Sequence, residues 1–435
     1  MKDLIPGKAL VFQSGGPTRV INYSLYGVVD ELMGYAEGPS HVLQGIYGSL
    51  HGVRGILDEN FTDLLNSDLG LVKDTPGSAL GTTRHELTEK IDGQIQRKEE
   101  DIDRAINVLR EHNIRYIFTI GGGDSAETAQ VLSQAGEERD YKLWIVHVPK
   151  TVDNDLILTD HCPGYPSIAT FDINYVLGTY FDARSNGNTI DINDVMGRNA
   201  GWVAASAAKC RARGYNPLII TPENPMDINE FVELVVERYR EEGLLQVVVS
   251  EGARNGKGEW GEQLANDIIK SFNEGTDVDS MFQMRRDAIG RAVLSDMSLA
   301  KLLAPRLKKA TGARIVANSL GYGQRSFNGV FSDIDDTEAE MVGREAVRLV
   351  FEMGEAGKMI SIVRRSTKPY EVSYEPVELS DVAKPGEKLV KLVPREFFDT
   401  ENQPNADFVE WVEPLLGDID DTGFLELRPV RKILS

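Results

Sequence analysis

Three times within the first 156 residues a short apolar run ends abruptly in a polar turn. KALVFQ runs into SGGPT, IRYIFTI into GGGDS, and KLWIVHV into PKTVDND. Amphipathic stretches lie between them. In DIDRAINVLREHN, Ile102, Ala105, Ile106 and Leu109 stand at i, i+3, i+4 and i+7, the spacing of one helix face. Strands alternating with helices predict a mostly parallel sheet with right-handed crossovers. Turns that follow parallel strands open at one edge of the sheet, where α/β proteins bind ligands. The three turns, far apart in the chain, are therefore expected to share one crevice.

A second series follows. NTIDINDVM, NPLIITPEN, LLQVVVSEGA and ARIVANSLGYGQ each read as a strand feeding a polar or glycine-rich turn. With 435 residues, two α/β domains are expected rather than one. Residues 254–290 read as an irregular, charged surface excursion. From about residue 366 the pattern changes to short β-like pieces, read as a C-terminal extension with no chemistry assigned.

The formal charge is −21, from 47 Lys and Arg against 68 Asp and Glu. A general nucleic-acid binder needs a basic surface, so the balance argues against that class and against docking on anionic lipid. An acidic protein that binds an anion must gather cations and backbone N–H groups locally. Cys162 and Cys210 sit in no ligand-spaced pattern, which fits a reducing cytoplasm and predicts neither a zinc site nor a disulfide. No apolar h-region opens MKDLIPGKAL, and no apolar run is long enough for a membrane span, so neither a secretory signal nor a span is expected.

The turns carry the candidate chemistry. Gly15 and Gly16 let backbone N–H groups approach phosphate oxygens, with a helix N-terminus beyond; a tight turn with no ligand is the alternative. GGGDS is a second such turn, in which Asp124 also suits a helix N-cap. In PKTVDND, Asp153 and Asp155 are two apart, and an extended segment would turn them to one side. One carboxylate can hold Mg²⁺ while the other takes a proton from an attacking hydroxyl. Lys150 can neutralise a transferring phosphoryl group. An Asx-rich turn with a solvated lysine is the alternative. His147 reads as packed at a strand end, and His112 and Arg115 as groups near a helix C-terminus.

Read together, SGGPT, LGTTR (80–84), GGGDS, PKTVDND, MGRNAGW (196–202), PEN (222–224), SEG (250–252) and LGYGQR (320–325) resemble the phosphofructokinase superfamily, in its pyrophosphate-dependent branch. The motifs stand in the family's order across roughly residues 8–365. The resemblance implies two Rossmann-like domains with mostly parallel sheets flanked by helices and an active site between them. Residues 1–163, completed by about 324–365, would bind the phosphoryl donor; 164–323 would bind the sugar phosphate; 366–435 would be the extension. It implies a reversible, Mg²⁺-dependent glycolytic kinase acting on pyrophosphate and fructose 6-phosphate, as a homodimer or homotetramer.

Carried over residue by residue, Asp153 resembles the general base, with Lys150 and Arg198 neutralising phosphoryl charge. Gly15, Gly16, Arg84, Asp124 and Ser125 fall at the donor phosphates. Thr151, Met196, Gly197, Glu251, Tyr322 and Arg325 fall at the sugar phosphate. Asp155, with Asp124, resembles the metal site. Arg314 stands slightly before the place where the family supplies an arginine across a subunit interface.

Donor choice is expected from two positions. ATP-using members read GGDGS and PGT, with glycine where this chain has Asp124 and Lys150. A carboxylate there fills the space of an α-phosphate and repels it. An ammonium about 4 Å from a phosphate charge is worth roughly 4 kcal/mol at an effective dielectric near 20. Two departures stand out: Gly123 where the family has an aspartate, and Tyr322 where ATP-using bacterial members have histidine. Three rival readings remain: the same reaction with ATP, pyrophosphate with another sugar phosphate such as sedoheptulose 7-phosphate, and a silent regulatory subunit. Asp153, Asp155 and Arg198 are all present, which weighs against the last.

Overall fold

The computed structural model describes residues 4–37, 41–91, 94–273, 298–384, 387 and 389–420. Among them the apolar runs become strands of two main sheets. The larger sheet takes Gly7–Gln13 (β1), Leu43–Ser49 (β2), Phe61–Asp63 (β3), Ile114–Gly121 (β4) and Trp144–Pro149 (β5). The smaller takes Thr189–Val195 (β6), Leu218–Ile220 (β7), Leu245–Ser250 (β8) and Arg314–Ser319 (β9). The chain then returns to the larger sheet with Lys358–Thr367 (β10) and Tyr370–Glu378 (β11). The strand orders are β11-β10-β5-β4-β1-β2-β3 and β9-β6-β8-β7. Every pairing is parallel except at the two edges of the larger sheet, where β3 and β11 run antiparallel.

Continuous apolar runs such as ALVF form strands because both faces of a parallel sheet are covered. In β1, Leu10 and Phe12 enter the core on one face, and Ala9 and Val11 the core on the other. Helix α1 (Ile21–Ala36) packs on the Ala9 face. Helices α2 (Glu99–Glu111) and α3 (Gly123–Glu138) cover the Leu10 face, and α4 (Asp333–Arg348) joins α1 on the first. The buried side of α2 carries Ile102, Ala105, Ile106 and Leu109, as its spacing predicts, with Val108 beside them. Its first turn holds Glu99, Glu100 and Asp101, which favour the positive end of the helix dipole.

The stretch from residue 254 is more regular than its glycines and charges predict. Arg254–Asn255 pairs with Gly258–Glu259 as a hairpin, and a helix begins at Trp260. Trp260 is fully buried and donates its indole N–H to the Met226 carbonyl at 2.9 Å, which anchors that helix start. Residues 274–290 of the expected excursion lie outside the described residues. From residue 366 the chain is built into the molecule. β11 extends the larger sheet, and the Trp411 ring packs 4.8 Å from that of Trp202. Among the described residues no helix is long and apolar enough to cross a membrane. Cys162 and Cys210 are free and buried.

Candidate active site

β1, β4 and β5 are neighbours, so their carboxyl ends bring SGGPT, GGGDS and PKTVDND side by side. The Ser14 N–H donates to Ile120 O and the Lys150 N–H to Gly121 O, both at 2.9 Å, stitching the three turns together. The Lys150 side chain is buried, 2% exposed, and lies against the first turn. Its Nζ donates to Gly16 O at 2.7 Å and to Ser14 O at 3.1 Å. Burial, with the Arg325 charge adding to it, pulls the ammonium down to about 8, against Asp153 and Asp155. Gly16 leaves room for Arg325: a Cβ there would stand 3.3 Å from the guanidinium carbon.

The two glycine turns differ. α1 starts at Ile21, five residues beyond Gly16, so the first turn does not open directly onto a helix N-terminus as expected. GGGDS does: Gly122 is the N-cap residue and the helix begins at Gly123. Asp124 is therefore the second helical residue and not the cap, because the chain turns one residue pair earlier than the capping alternative needs. Its exposed side chain lines the cleft, while Ser125 is buried beneath it. One turn further on, Glu127 accepts from Thr88 Oγ1 at 2.8 Å. Burial raises the Glu127 pKa and the Asp124 charge adds to that, against the Thr88 hydrogen bond.

The DND stretch is not extended. Asn154 has φ +53°, the left-handed region that asparagine tolerates, and its Oδ1 accepts from the Cys162 N–H at 2.9 Å. The strand-like argument for one shared face thus fails, yet the turn still delivers Asp153 and Asp155 to the same cleft. The Asp153 N–H donates to Thr151 Oγ1 at 3.2 Å. Asn199 Nδ2 donates to the Asp155 carboxylate at 3.2 Å, and the Lys391 N–H donates to the Asp155 carbonyl at 2.9 Å.

The opposite wall comes from the carboxyl ends of β6, β8 and β9. Arg198, after β6, lays Nε and Nη2 on the two oxygens of Glu259 at 2.9 and 2.8 Å. Glu251, after β8, is pushed up to about 8, first by burial and then by the Asp153 and Asp194 charges. A value there favours the protonated carboxyl at neutral pH. Arg325, after β9, stacks 4.6 Å from the centroid of the Tyr322 ring and donates Nε to Met196 Sδ at 3.3 Å. Burial lowers the Arg325 pKa against the pull of Asp153. That arginine bridges the two walls, lying beside Gly16 of the first turn and Met196 of the opposite wall.

The cleft holds about 450 Å³. Of the residues singled out from sequence, Gly15, Gly16, Arg84, Asp124, Ser125 and Lys150 line its first wall. Thr151, Asp153, Asp155, Arg198, Glu251, Tyr322 and Arg325 line the rest. Met196 and Gly197 do not. Met196 is 4% exposed behind Arg325, and the Gly197 carbonyl accepts from Ser250 Oγ in the layer below. Arg314 is exposed at the start of β9, at the amino end of the strand and away from its carboxyl edge. His147 is buried on β5, hydrogen-bonded to Thr119 at 2.7 Å, and burial pushes it down to about 3.

Sequence reasoning passed over Asn199, Glu127 and Leu389, which also line the cleft. Asn199 lay inside the quoted MGRNAGW; no local pattern marks Leu389. Among the described residues no group of three or more His, Cys, Asp or Glu is arranged to hold a metal ion. A pair of cleft carboxylates still suits Mg²⁺, which takes its remaining oxygens from water and substrate phosphates.

Residues 8–350 match the family model described as Phosphofructokinase. The chain belongs to the phosphofructokinase family. Within it, the chain is 37% identical to the pyrophosphate–fructose 6-phosphate 1-phosphotransferase of Rhodospirillum rubrum, over 99% of this chain and 100% of that one. It is 32% identical to the protein of that name from Methylococcus capsulatus, over 90% and 87%. The crystal structure of the pyrophosphate-dependent phosphofructokinase from Nitrosospira multiformis superposes with a TM-score of 0.78 at 28% identity, covering 99% of each chain. This phosphofructokinase thus shares its two-sheet architecture over its whole length with a solved relative.

Proposed function

We propose that this phosphofructokinase moves a phosphoryl group from pyrophosphate to the C1 hydroxyl of fructose 6-phosphate, giving fructose 1,6-bisphosphate and phosphate, reversibly. The observation that carries the reading is Lys150, an ammonium buried in the donor cradle with Nζ 2.7 Å from Gly16 O. A buried cation with one end on the phosphate-binding turn serves a small, highly charged donor. Asp124 at the mouth repels a longer one. The names of the full-length relatives support the same reaction.

In this reading the residues act by position and charge, since phosphoryl transfer asks little covalent chemistry of a protein. Asp153 takes the proton of the C1 hydroxyl as its oxygen attacks phosphorus. Lys150 and Arg198 neutralise the charge that builds on the transferring group. Gly15, Gly16, Arg84 and Ser125 hold donor phosphate oxygens. Thr151, Glu251, Tyr322 and Arg325 hold the sugar phosphate, and protonated Glu251 has a proton to donate to it. Asp155, with Asp124, would hold Mg²⁺, which supplies charge neutralisation on the phosphates. The working division is a donor half (1–163 with about 324–365), an acceptor half (164–323) and an extension from 366, in a cytoplasmic homo-oligomer.

The test is donor choice at matched Mg²⁺. Turnover with pyrophosphate and fructose 6-phosphate, with ATP slower by orders of magnitude, is expected. Robust turnover with ATP and none with pyrophosphate rejects the reading. Comparing kcat/KM for fructose 6-phosphate and sedoheptulose 7-phosphate fixes the acceptor.

A further inference from the structure

The two walls of the cleft belong to different sheets. Asp155 follows β5 of the larger sheet, and Arg198, Gly201 and Trp202 follow β6 of the smaller. One short stretch of the C-terminal segment touches both. The Lys391 N–H donates to Asp155 O at 2.9 Å, and the Lys391 carbonyl accepts from the Trp202 indole Nε1 at 2.8 Å. Two residues on, the Val393 N–H donates to Glu223 Oε1 at 3.0 Å, and that oxygen also accepts the Gly201 N–H at 2.8 Å. The Lys391 backbone thus spans from the DND turn to the turn that carries Arg198.

Its side chain fixes that span. The Lys391 ammonium donates to the Asp160 carbonyl, seven residues beyond Asp153. It lies 4.6 Å from the centroid of the Trp202 ring and 5.9 Å from that of Trp411, within cation–π range of both. Trp411 returns to the same loop by donating its indole N–H to Asp160 Oδ1 at 3.1 Å. Lys391, Val393 and Trp411 lie beyond residue 350, where the match to the family model ends.

We propose that residues 391–393 are a strut that sets the distance between Asp155 and the Arg198 turn, with Lys391 as its positioning residue. Lys391 is not among the residues that line the cleft. It holds the carbonyl of a cleft aspartate on one side and the indole behind the arginine turn on the other. Phosphoryl transfer depends on alignment of attacking and leaving oxygens, and a displacement near 1 Å at such a site costs about 10²-fold in rate. A strut across the seam of two sheets is where such a displacement is prevented. The kinetic part of this inference rests on the proposed reaction; the structural part does not.

The experiment compares the full chain with Lys391→Met, which keeps the stem and removes the ammonium, and with Lys391→Arg. Lys391→Met is expected to lose about 10²-fold in kcat while KM for pyrophosphate and for fructose 6-phosphate stays within about threefold. Lys391→Arg is expected to regain most of the loss. Amide hydrogen exchange should accelerate in residues 151–158 and 198–203 of Lys391→Met and stay unchanged in β4. Folded Lys391→Met with wild-type kcat and wild-type exchange overturns the proposal, as does a loss that lies in KM alone. Should Lys391→Met fail to fold, Lys391→Gln, which keeps a polar tip without the charge, is read the same way. Failure of the wild-type chain to use pyrophosphate sinks the reaction but leaves the exchange comparison to decide the strut.

Discussion

Lys150 meets two opposed demands. Burial disfavours its charge, while two carbonyls of the glycine turn and the nearby aspartates favour it; the balance sets its pKa near 8. A phosphate arriving beside it needs the charged form. The kcat/KM for pyrophosphate should therefore fall as pH rises through about 8, and the limb should be shallower in Lys150→Met, what remains belonging to Glu251, which also titrates near 8. Asp153 is tested separately. Asp153→Ser should lower kcat by about 10²–10⁴, the usual worth of a general base, with fructose 6-phosphate binding nearly intact by calorimetry. A loss confined to KM would assign Asp153 to binding instead. Asp124 projects from the second position of its helix without capping it, so removing it leaves the helix start in place. Asp124→Gly should raise kcat/KM for ATP and leave melting nearly unchanged; a folded variant still blind to ATP would place donor exclusion elsewhere.

At the level of elements, the site is an edge effect. Three parallel strands of one sheet and three of the other end at the same cleft, so each turn needs only to be short and correctly aimed. The turn after β8 shows how little slack remains. A Cβ on Gly252 would stand 2.0 Å from the Arg198 carbonyl oxygen, a backbone atom that cannot swing aside. Gly252→Ala should cost about 1–3 kcal/mol of stability, as overpacking does, and should lower kcat because Arg198 is displaced with its turn. Thermal melting and steady-state kinetics on one preparation check both. The hairpin at Gly258–Glu259 belongs to the same construction. Glu259 forks the Arg198 guanidinium, so that arginine's plane is set before substrate arrives.

For the molecule as a whole, a buried charge cluster joins parts distant in sequence. His161 lies between Asp160 and Glu338, Arg364 pairs with Asp160, and Tyr370 donates to Glu338 at 2.7 Å. Burial opposes the charge on His161, but the Glu338 and Asp160 carboxylates outweigh it and hold the ring up to about 9. A folded value above the unfolded 6.5 gives a contribution that is whole below about pH 6.5 and is lost as pH rises through 9. The stability margin of the wild type over His161→Gln, from denaturant melts, should therefore shrink between pH 7 and 9.5. A margin independent of pH would mean that the ring is neutral. The sequence by itself determined the parallel sheets and most of the residues that line the cleft, because a strand buried on both faces must be apolar and must break where its turn reaches the open edge of the sheet. That is why KALVFQ, IRYIFTI and KLWIVHV, with the glycines and charges after them, were legible. The tertiary structure alone decided what holds those turns together. Asn154 turns left-handed, Glu259 forks Arg198, Met196 retreats behind Arg325, and Lys391 bridges the two sheets. Such contacts join residues tens to hundreds of positions apart or hinge on a single backbone angle, and neither leaves a period in the chain to be read.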